Sequence, residues 1–249
     1  MFKISIIIPT FNDEEKIRDN IFTLIKKLKK LRTIYELIIV NDGSNDNTLT
    51  ELKKVKKKLK KIKLLSNKKN YGKSYSIKKG LDKSKYNHVI LIDSDLPYFD
   101  VFEKVLKNLR KNDFVFVNRK HQKSLIVDQQ LNFYQQARKM IGYLVSLIIR
   151  LFLNLNIQGG DTQSGLKGFK KIKNFKKLNL ISKKFFLDLE IMYFYKKLNK
   201  KFYSIPVKYK IDKKSSIELF AIRKNFLILI ELINVIFNLK NNYFFKHSM

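Results

Sequence analysis

Hydrophobic positions in the first half of the chain follow two patterns in turn. Short apolar runs at 3–9, 35–40 (YELIIV), 62–66 (IKLLS), 88–93 (HVILID) and 113–118 (DFVFVN) predict buried strands. Between them the apolar residues spread out to helical spacing. In 13–31 they fall at Ile17, Ile21, Leu24, Ile25 and Leu28 behind an acidic first turn. Further helices are predicted after Asp46, over 72–84 and over 102–111, and Asn45 or Asp46 stands where it can cap the first of these. Strand and helix in alternation, with polar turns after the strands, predict an α/β fold whose mostly parallel central sheet is flanked by helices. Ligands of such sheets bind beyond the C-terminal strand ends. Asn12, Asp42, Asp93, Asp95 and Arg119 all fall at those ends.

Beyond Lys120 the pattern changes. Residues 135–157 read as a long, nearly all-apolar helix interrupted by Arg150, followed by a short polar segment, QGGDTQSGLKGFK. A helix over 183–198, a strand over 202–211 and a last apolar helix over 226–239 complete the order. Neither apolar run reaches the roughly 20 residues that span a bilayer without taking in a charge, Arg150 in one and Glu231 in the other. They predict interfacial or core helices with basic flanks near lipid headgroups. The opening residues read as a strand and not as a secretion signal. With no repeat and no Pro/Ser/Gly-rich linker, the expected organisation is one domain over 1–215 and an apolar, membrane-associated helix over 216–249.

Composition narrows the chemistry. The 249 residues hold no cysteine and three histidines, which leaves no thiolate zinc site, no cysteine nucleophile and no histidine cluster. Any metal must be a hard, oxygen-bound one. A formal net charge of +32 favours contact with anionic lipid. No zinc-finger spacing, aromatic RNA-binding box or helix-turn-helix points to a specific nucleic acid. Lysine is the default cation, so the seven arginines are informative, above all Arg119 and Arg138, where a planar bidentate group suits an anion.

Asp93 and Asp95 close the run VILIDSD. Two positions apart on a strand, their carboxylates are expected to face one spot and to need a positive partner there.

The stretches SIIIPTFNDEEKI, ELIIVNDGSNDNT, NYGKSYSIKKGL, VILIDSDLP and DTQSGLKGF occur in this order. Together they resemble the successive motifs of family-2 glycosyltransferases of GT-A fold, most closely the polyprenyl- and dolichyl-phosphate sugar transferases. The resemblance runs from about residue 3 to 240, and it is the ordered set that is specific. It implies that a UDP- or GDP-sugar donates its hexose, with inversion, to a polyprenyl phosphate on the cytoplasmic face of a membrane, helped by Mg2+ or Mn2+. It also divides the domain into a donor half, 1–118, and an acceptor half, 119–215.

The same resemblance implies roles. Asp93 and Asp95 match the Asp-X-Asp motif, Asp95 as direct metal ligand and Asp93 as a contact of ribose or metal. Pro9, Phe11, Asn12 and Asp13 match a Pro-X-Tyr-Asn-Glu stretch that holds the base, with Phe in place of Tyr and Asp in place of Glu. Asp42 matches an aspartate that reaches base or ribose; Asn70 and Gly72 bring backbone near the donor, and Lys73 meets its phosphates. Arg119 and Arg138 match arginines that contact the lipid phosphate, and Asp161 is the orienting or base-like carboxylate beside the reacting centre. Of Asp188 and Glu190, two apart on a helix, at most one is expected to point into the site. Pro97 departs from the pattern of many mannosyl relatives, in which a polar residue at that position helps hold the metal. Other readings of the same residues are a transferase acting on a glycan or another lipid, and a non-catalytic nucleotide-sugar-binding module.

Overall fold

The structure is a computed structural model that describes residues 2–59, 61–127, 133–153, 161–173, 175–210 and 222–241. Its first half follows the predicted alternation: β1 (Lys3–Thr10), α1 (Ile17–Lys30), β2 (Ile34–Asn41), α2 (Thr48–Lys58), β3 (Ile62–Ser66), α3 (Lys73–Lys83), β4 (His88–Ile92), α4 (Phe102–Leu109) and β5 (Phe114–Asn118). Then come β6 (Leu125–Ile126), α5 (Phe133–Leu153), β7 (Leu166–Lys170), α6 (Leu187–Lys197), β8 (Phe202–Pro206), β9 (Lys208–Tyr209) and α7 (Ile222–Lys240). Seven strands form one sheet in the order β3-β2-β1-β4-β7-β5-β8, and β6 pairs with β9 alongside.

Period-two alternation divides the core between the sheet's two faces. Ile4, Ile6, Ile8, Ile90 and Ile92 pack with α1, α2 and α4, while Ile7, Val89, Leu91, Phe116 and Phe169 pack with α3, α5, α6 and α7. Both faces are covered, which is why the parallel strands read as continuous apolar runs. The last helix supplies Leu232, Val235, Ile236 and Leu239 to the second of these cores.

Several expectations from the second half change. The polar segment before residue 171 holds β7, which lies between β4 and β5 and runs antiparallel to both. The strand read over 202–211 breaks at Val207 into β8, in the main sheet, and β9 beside it. The helix read from Lys183 starts at Leu187, because residues 182–186 form a loop capped by side chains from α6 and α7. The helix through Arg150 is continuous to Leu153; the part of that expectation past Leu153 lies outside the described residues. Strand order reverses between β1 and β4, and the crevice beyond those two C-terminal ends is where such sheets hold ligands.

Candidate active site

The β1 and β2 ends form a laced shelf. Phe11 leaves 42 % of its surface exposed. Asn12 sits at a left-handed φ of 49°, its amide donating to Ser44 Oγ (3.0 Å) and its side-chain oxygen accepting from the Asn45 amide (2.9 Å). Asparagine tolerates that conformation better than most residues. The Asp13 amide donates to Thr48 Oγ1 (2.7 Å), and burial raises the pKa of its carboxyl. Asp46 accepts from the Thr48 amide (3.0 Å) and so satisfies a first-turn donor of α2. Gly43 turns at φ 68°, and a Cβ there would lie 2.3 Å from the Lys69 carbonyl carbon, a close approach that only glycine allows.

Asp42 is buried and accepts three hydrogen bonds: from Asn67 Nδ2 (2.7 Å), the Tyr71 amide (3.1 Å) and the Gly72 amide (2.8 Å). Both its oxygens therefore hold the Asn70–Lys73 turn at the start of α3. Asn70 itself is exposed on that turn.

The strand feeding the acidic pair stops at Ile92, and Asp93 to Leu96 make a turn closed by the Leu96 amide on the Asp93 carbonyl (3.0 Å). Alternation along a strand does not extend to Asp93 and Asp95, which corrects the expectation that both face one spot for that reason. Asp93 is half-buried and Asp95 exposed. Leu96 and Tyr98 adopt left-handed φ values of 51° and 58°, strain of the kind that collects at functional turns. Gly165 faces this turn; a Cβ on it would lie 2.6 Å from Pro97 Cγ and 2.8 Å from Asp93 Oδ2.

The positive partner of Asp93 is Lys73, with Nζ 2.6 Å from Oδ1 and 2.8 Å from Oδ2. Burial works against that charge, but Asp93, Asp188 and Asp95 more than offset it and raise the Lys73 pKa. Behind it lies a second pair, Lys167 Nζ to Asp188 Oδ2 at 2.6 Å, both side chains almost fully buried. Burial lowers the Lys167 pKa, with Asp188 opposing and Lys73 adding to the shift. Asp188 Oδ1 and Ser164 Oγ are buried without a hydrogen-bond partner. Glu190 points elsewhere and accepts from the Ile181 (2.7 Å) and Ser182 (3.1 Å) amides.

Across β7, at the end of β5, Arg119 grips Asp161. Nε donates to Oδ2 (2.8 Å), Nη2 to Oδ1 (2.7 Å) and the backbone amide to Oδ2 (2.8 Å). Burial alone would raise the Asp161 pKa; Arg119 outweighs it and holds the carboxyl below its ordinary range. An anion so engaged is a poor base and a good anchor. Tyr98 bonds Arg119, and its hydroxyl is pushed up to about 12, chiefly by burial. Lys120 donates to Gly142 O (3.1 Å) and to Ser146 Oγ on α5. Burial lowers its pKa; Asp161 opposes that, and Arg119 and Arg150 reinforce it, so three cations gather here. Arg138 lies on α5, its side chain outside the described residues.

Residues 5–171 match the Glycosyl transferase family 2 profile. The chain belongs to that family. A dolichyl-phosphate beta-glucosyltransferase of Dictyostelium discoideum is 28% identical over 213 residues, 79% of this chain and 63% of its own length. An undecaprenyl-phosphate 4-deoxy-4-formamido-L-arabinose transferase of Proteus mirabilis is 35% identical over 96 residues, 38% of this chain and 29% of its own. The chain also spans less than two thirds of two further curated relatives, 38% and 62% of their lengths. Glucosyl-3-phosphoglycerate synthase from Mycobacterium tuberculosis, in complex with Mn2+, UDP-glucose and phosphoglyceric acid, shares the fold with a TM-score of 0.62. It is 16% identical, over 94% of this chain and 80% of that one. The family-2 glycosyltransferase fold here is thus of GT-A type.

In this family-2 chain, Asp93 and Asp95 offer hard oxygen donors, and Asp93 already holds a cation in the form of the Lys73 ammonium. Among the described residues no three His, Cys, Asp or Glu side chains group to hold a metal ion. An ion would therefore take few protein ligands and complete its shell with phosphate and water, as Mg2+ and Mn2+ do beside nucleotides. The donor set fits that use. Lys167, Asn67, Tyr98 and Lys120 contact the candidate residues or adjoin them in the chain, and sequence reasoning did not single them out.

Proposed function

We propose that the protein is an inverting hexosyltransferase that uses a UDP- or GDP-sugar and a polyprenyl phosphate, with Mg2+ or Mn2+ bound at Asp93 and Asp95. One observation carries the reading: the order β4-β7-β5 sets an acidic turn and an arginine at strand ends on either side of β7. A diphosphate leaving group and an anionic acceptor need that separation of charges.

On the donor side, the exposed Phe11 ring offers a stacking face for the base beside Pro9, Asn12 and Asp13. Asp42 acts by holding the Asn70–Lys73 turn, which presents its backbone to the phosphates and sets the Lys73 ammonium beside Asp93. The metal ion, when bound, neutralises charge growing on the leaving diphosphate. On the acceptor side, Arg119, Lys120 and Arg138 bind the phosphate, with guanidinium matched to phosphate oxygens. That phosphate is largely ionised near neutral pH, its second pKa being about 6 as in phosphoamino acids. Its oxygen attacks the anomeric carbon from the face opposite the diphosphate, whose bond to that carbon breaks, and the configuration inverts. No side chain has to remove a proton, so Asp161 serves to orient Arg119, and orientation with charge stabilisation carries the rate. Exposed apolar residues on α5 and α7 and the positive charge support peripheral attachment to the anionic cytoplasmic face of a membrane.

The test is nucleotide release by the purified chain with Mg2+ or Mn2+, across UDP-glucose, UDP-GlcNAc, UDP-galactose and GDP-mannose, with and without polyprenyl phosphate. Release that needs one donor, the lipid and Asp95 supports the reading. Release that does not depend on the lipid is hydrolysis, with water taking the sugar, and sinks the polyprenyl-phosphate reading. Silence from the folded protein with every donor and the lipid moves the acceptor to a glycan or another lipid, or the chain to a non-catalytic nucleotide-sugar-binding module.

A further inference from the structure

Alternation along β7 assigns position 167 to the core face, on the same side as Phe169, yet a lysine stands there with 2% of its surface exposed. Its partner Asp188 is equally buried and uses one oxygen, Oδ2, on the ammonium. The other oxygen, Oδ1, has no partner. Leaving a carboxylate oxygen buried and unmatched is unfavourable, so such an oxygen needs an explanation. Lys73, Asp93, Ser164, Lys167 and Asp188 all line one small cleft of about 10 Å³, room for one water- or ammonium-sized group. Lys73 enters that cleft from the first turn of α3, with its ammonium on Asp93.

The Lys73 ammonium lies against both Asp93 oxygens, at 2.6 and 2.8 Å, so a divalent ion on that carboxylate competes with it for the same two oxygens and repels its charge. Two opposite-charge pairs, Lys73 with Asp93 and Lys167 with Asp188, line the one cleft, and the Asp188 charge also acts on Lys73. We infer that Lys73 is a two-position counter-ion: it occupies Asp93 before the donor arrives and moves to the free oxygen of Asp188 when the metal ion takes Asp93. The inference rests on the reading that Asp93 and Asp95 bind the metal, and it makes Lys73 and Asp188 positioning residues for that event. Lys167 fixes Asp188 so that one oxygen stays open to the cleft. The sequence places a lysine opposite the acidic turn for a reason beyond donor binding: its ammonium holds both Asp93 oxygens in place until the metal ion arrives.

The experiment measures Mn2+ affinity of the full chain without donor, by electron paramagnetic resonance of the free ion, in a double-mutant cycle. Lys73→Met is expected to tighten Mn2+ binding about tenfold, because the competing cation is gone. Asp188→Asn is expected to weaken binding several-fold when Lys73 is present and to have no effect in the Lys73→Met background. A simple loss of one nearby negative charge would weaken binding equally in both backgrounds, and that additivity overturns the inference. Because Asp188→Asn strands a buried ammonium, Asp188→Asn with Lys167→Met repeats the cycle without the unpaired charge, and the same coupling to Lys73 is expected. Asp95→Ala separates the two readings. If it abolishes Mn2+ binding while the cycle is additive, the counter-ion inference fails alone; if it leaves binding intact, the metal reading fails and takes the inference with it.

Discussion

Arg119 and Asp161 share three hydrogen bonds, two of them parallel, a geometry lysine cannot reproduce. Removing the acid leaves a guanidinium without its counter-charge. Asp161→Asn is expected to lower stability by about 2 kcal/mol in urea titration, less than the roughly 3 to 5 of fully buried pairs because the arginine is a third exposed. An unchanged midpoint would show that solvent already screens the pair. At Gly165 the effect falls on rate instead. The Cβ of Gly165→Ala meets Asp93 Oδ2 and Pro97, so the carboxylate must shift. Turnover is expected to fall about a hundredfold with little change in melting temperature, as small misplacements at reacting centres do; an active alanine variant would show that Asp93 is not needed where it stands. These two sites differ in how far the sequence exposed them. Arg119 stood out because arginine is scarce in a lysine-rich chain, Asp93 and Asp95 as a pair closing an apolar run, and Asp161 through the family resemblance of DTQSGLKGF. Lys167 did not, since one more lysine in that background carries no signal until a strand turns it inward. Asp42 was visible as a strand-end acid, but its three protein donors come from residues 67–72, which only the fold brings to it.

At the level of elements, the parallel half was legible because buried strands and amphipathic helices have distinct periods. Strand β7 was not. Its sequence LKGFK has a charged residue at an inward position and a glycine beside it, so neither period appears. Its placement follows from long-range pairing with β4 and β5, and that pairing carries Gly165 and Asp161 to the site. The loop before α6 was likewise read as helix. Glu231 of α7 accepts from the Lys183 (2.8 Å), Lys184 (2.7 Å) and Phe185 (3.2 Å) amides, while Glu190 holds Ile181 and Ser182. That loop in turn accepts the Ser74 and Tyr75 amides of α3, through Lys184 O and Lys183 O, next to Lys73. A glutamate inside an apolar helix is thus a bracket between the last helix and the start of α3. Burial pushes Glu190 up to about 7, and Glu231 adds to the rise. Folding therefore favours its protonated form: the contribution is whole below pH 4.5 and is lost as pH rises through about 7. The urea midpoint of the native chain is expected to fall over that window, and to fall less in Glu231→Gln, which removes the neighbouring charge. Parallel pH profiles of the two proteins would refute the coupling.

Over the whole molecule, two features of the surface act together. The net charge of +32 draws the chain to any anionic surface, an attraction that salt screens over about 8 Å at physiological ionic strength. In the proposed attachment, exposed apolar side chains add a contact that salt does not weaken. On α5 Phe133, Met140, Leu144 and Leu151 recur at helical spacing and are exposed, and on α7 so are Phe226, Ile230, Ile233 and Phe237. Among the described residues no helix is long and apolar enough to cross a membrane. In the proposed peripheral attachment these stripes meet the lipid interface, near where Lys120 joins α5 to the arginine site. The two contributions separate experimentally. Flotation with vesicles holding about a third anionic lipid is expected to recover most of the chain at about 50 mM salt and a reduced fraction at about 500 mM. Phe226→Ser with Phe237→Ser is expected to abolish the high-salt fraction and leave low-salt binding largely in place. If the double variant floats like the native chain at both salts, α7 does not meet lipid. If neither protein floats at low salt, the charge serves another surface and the phosphate acceptor has to come to the enzyme from solution.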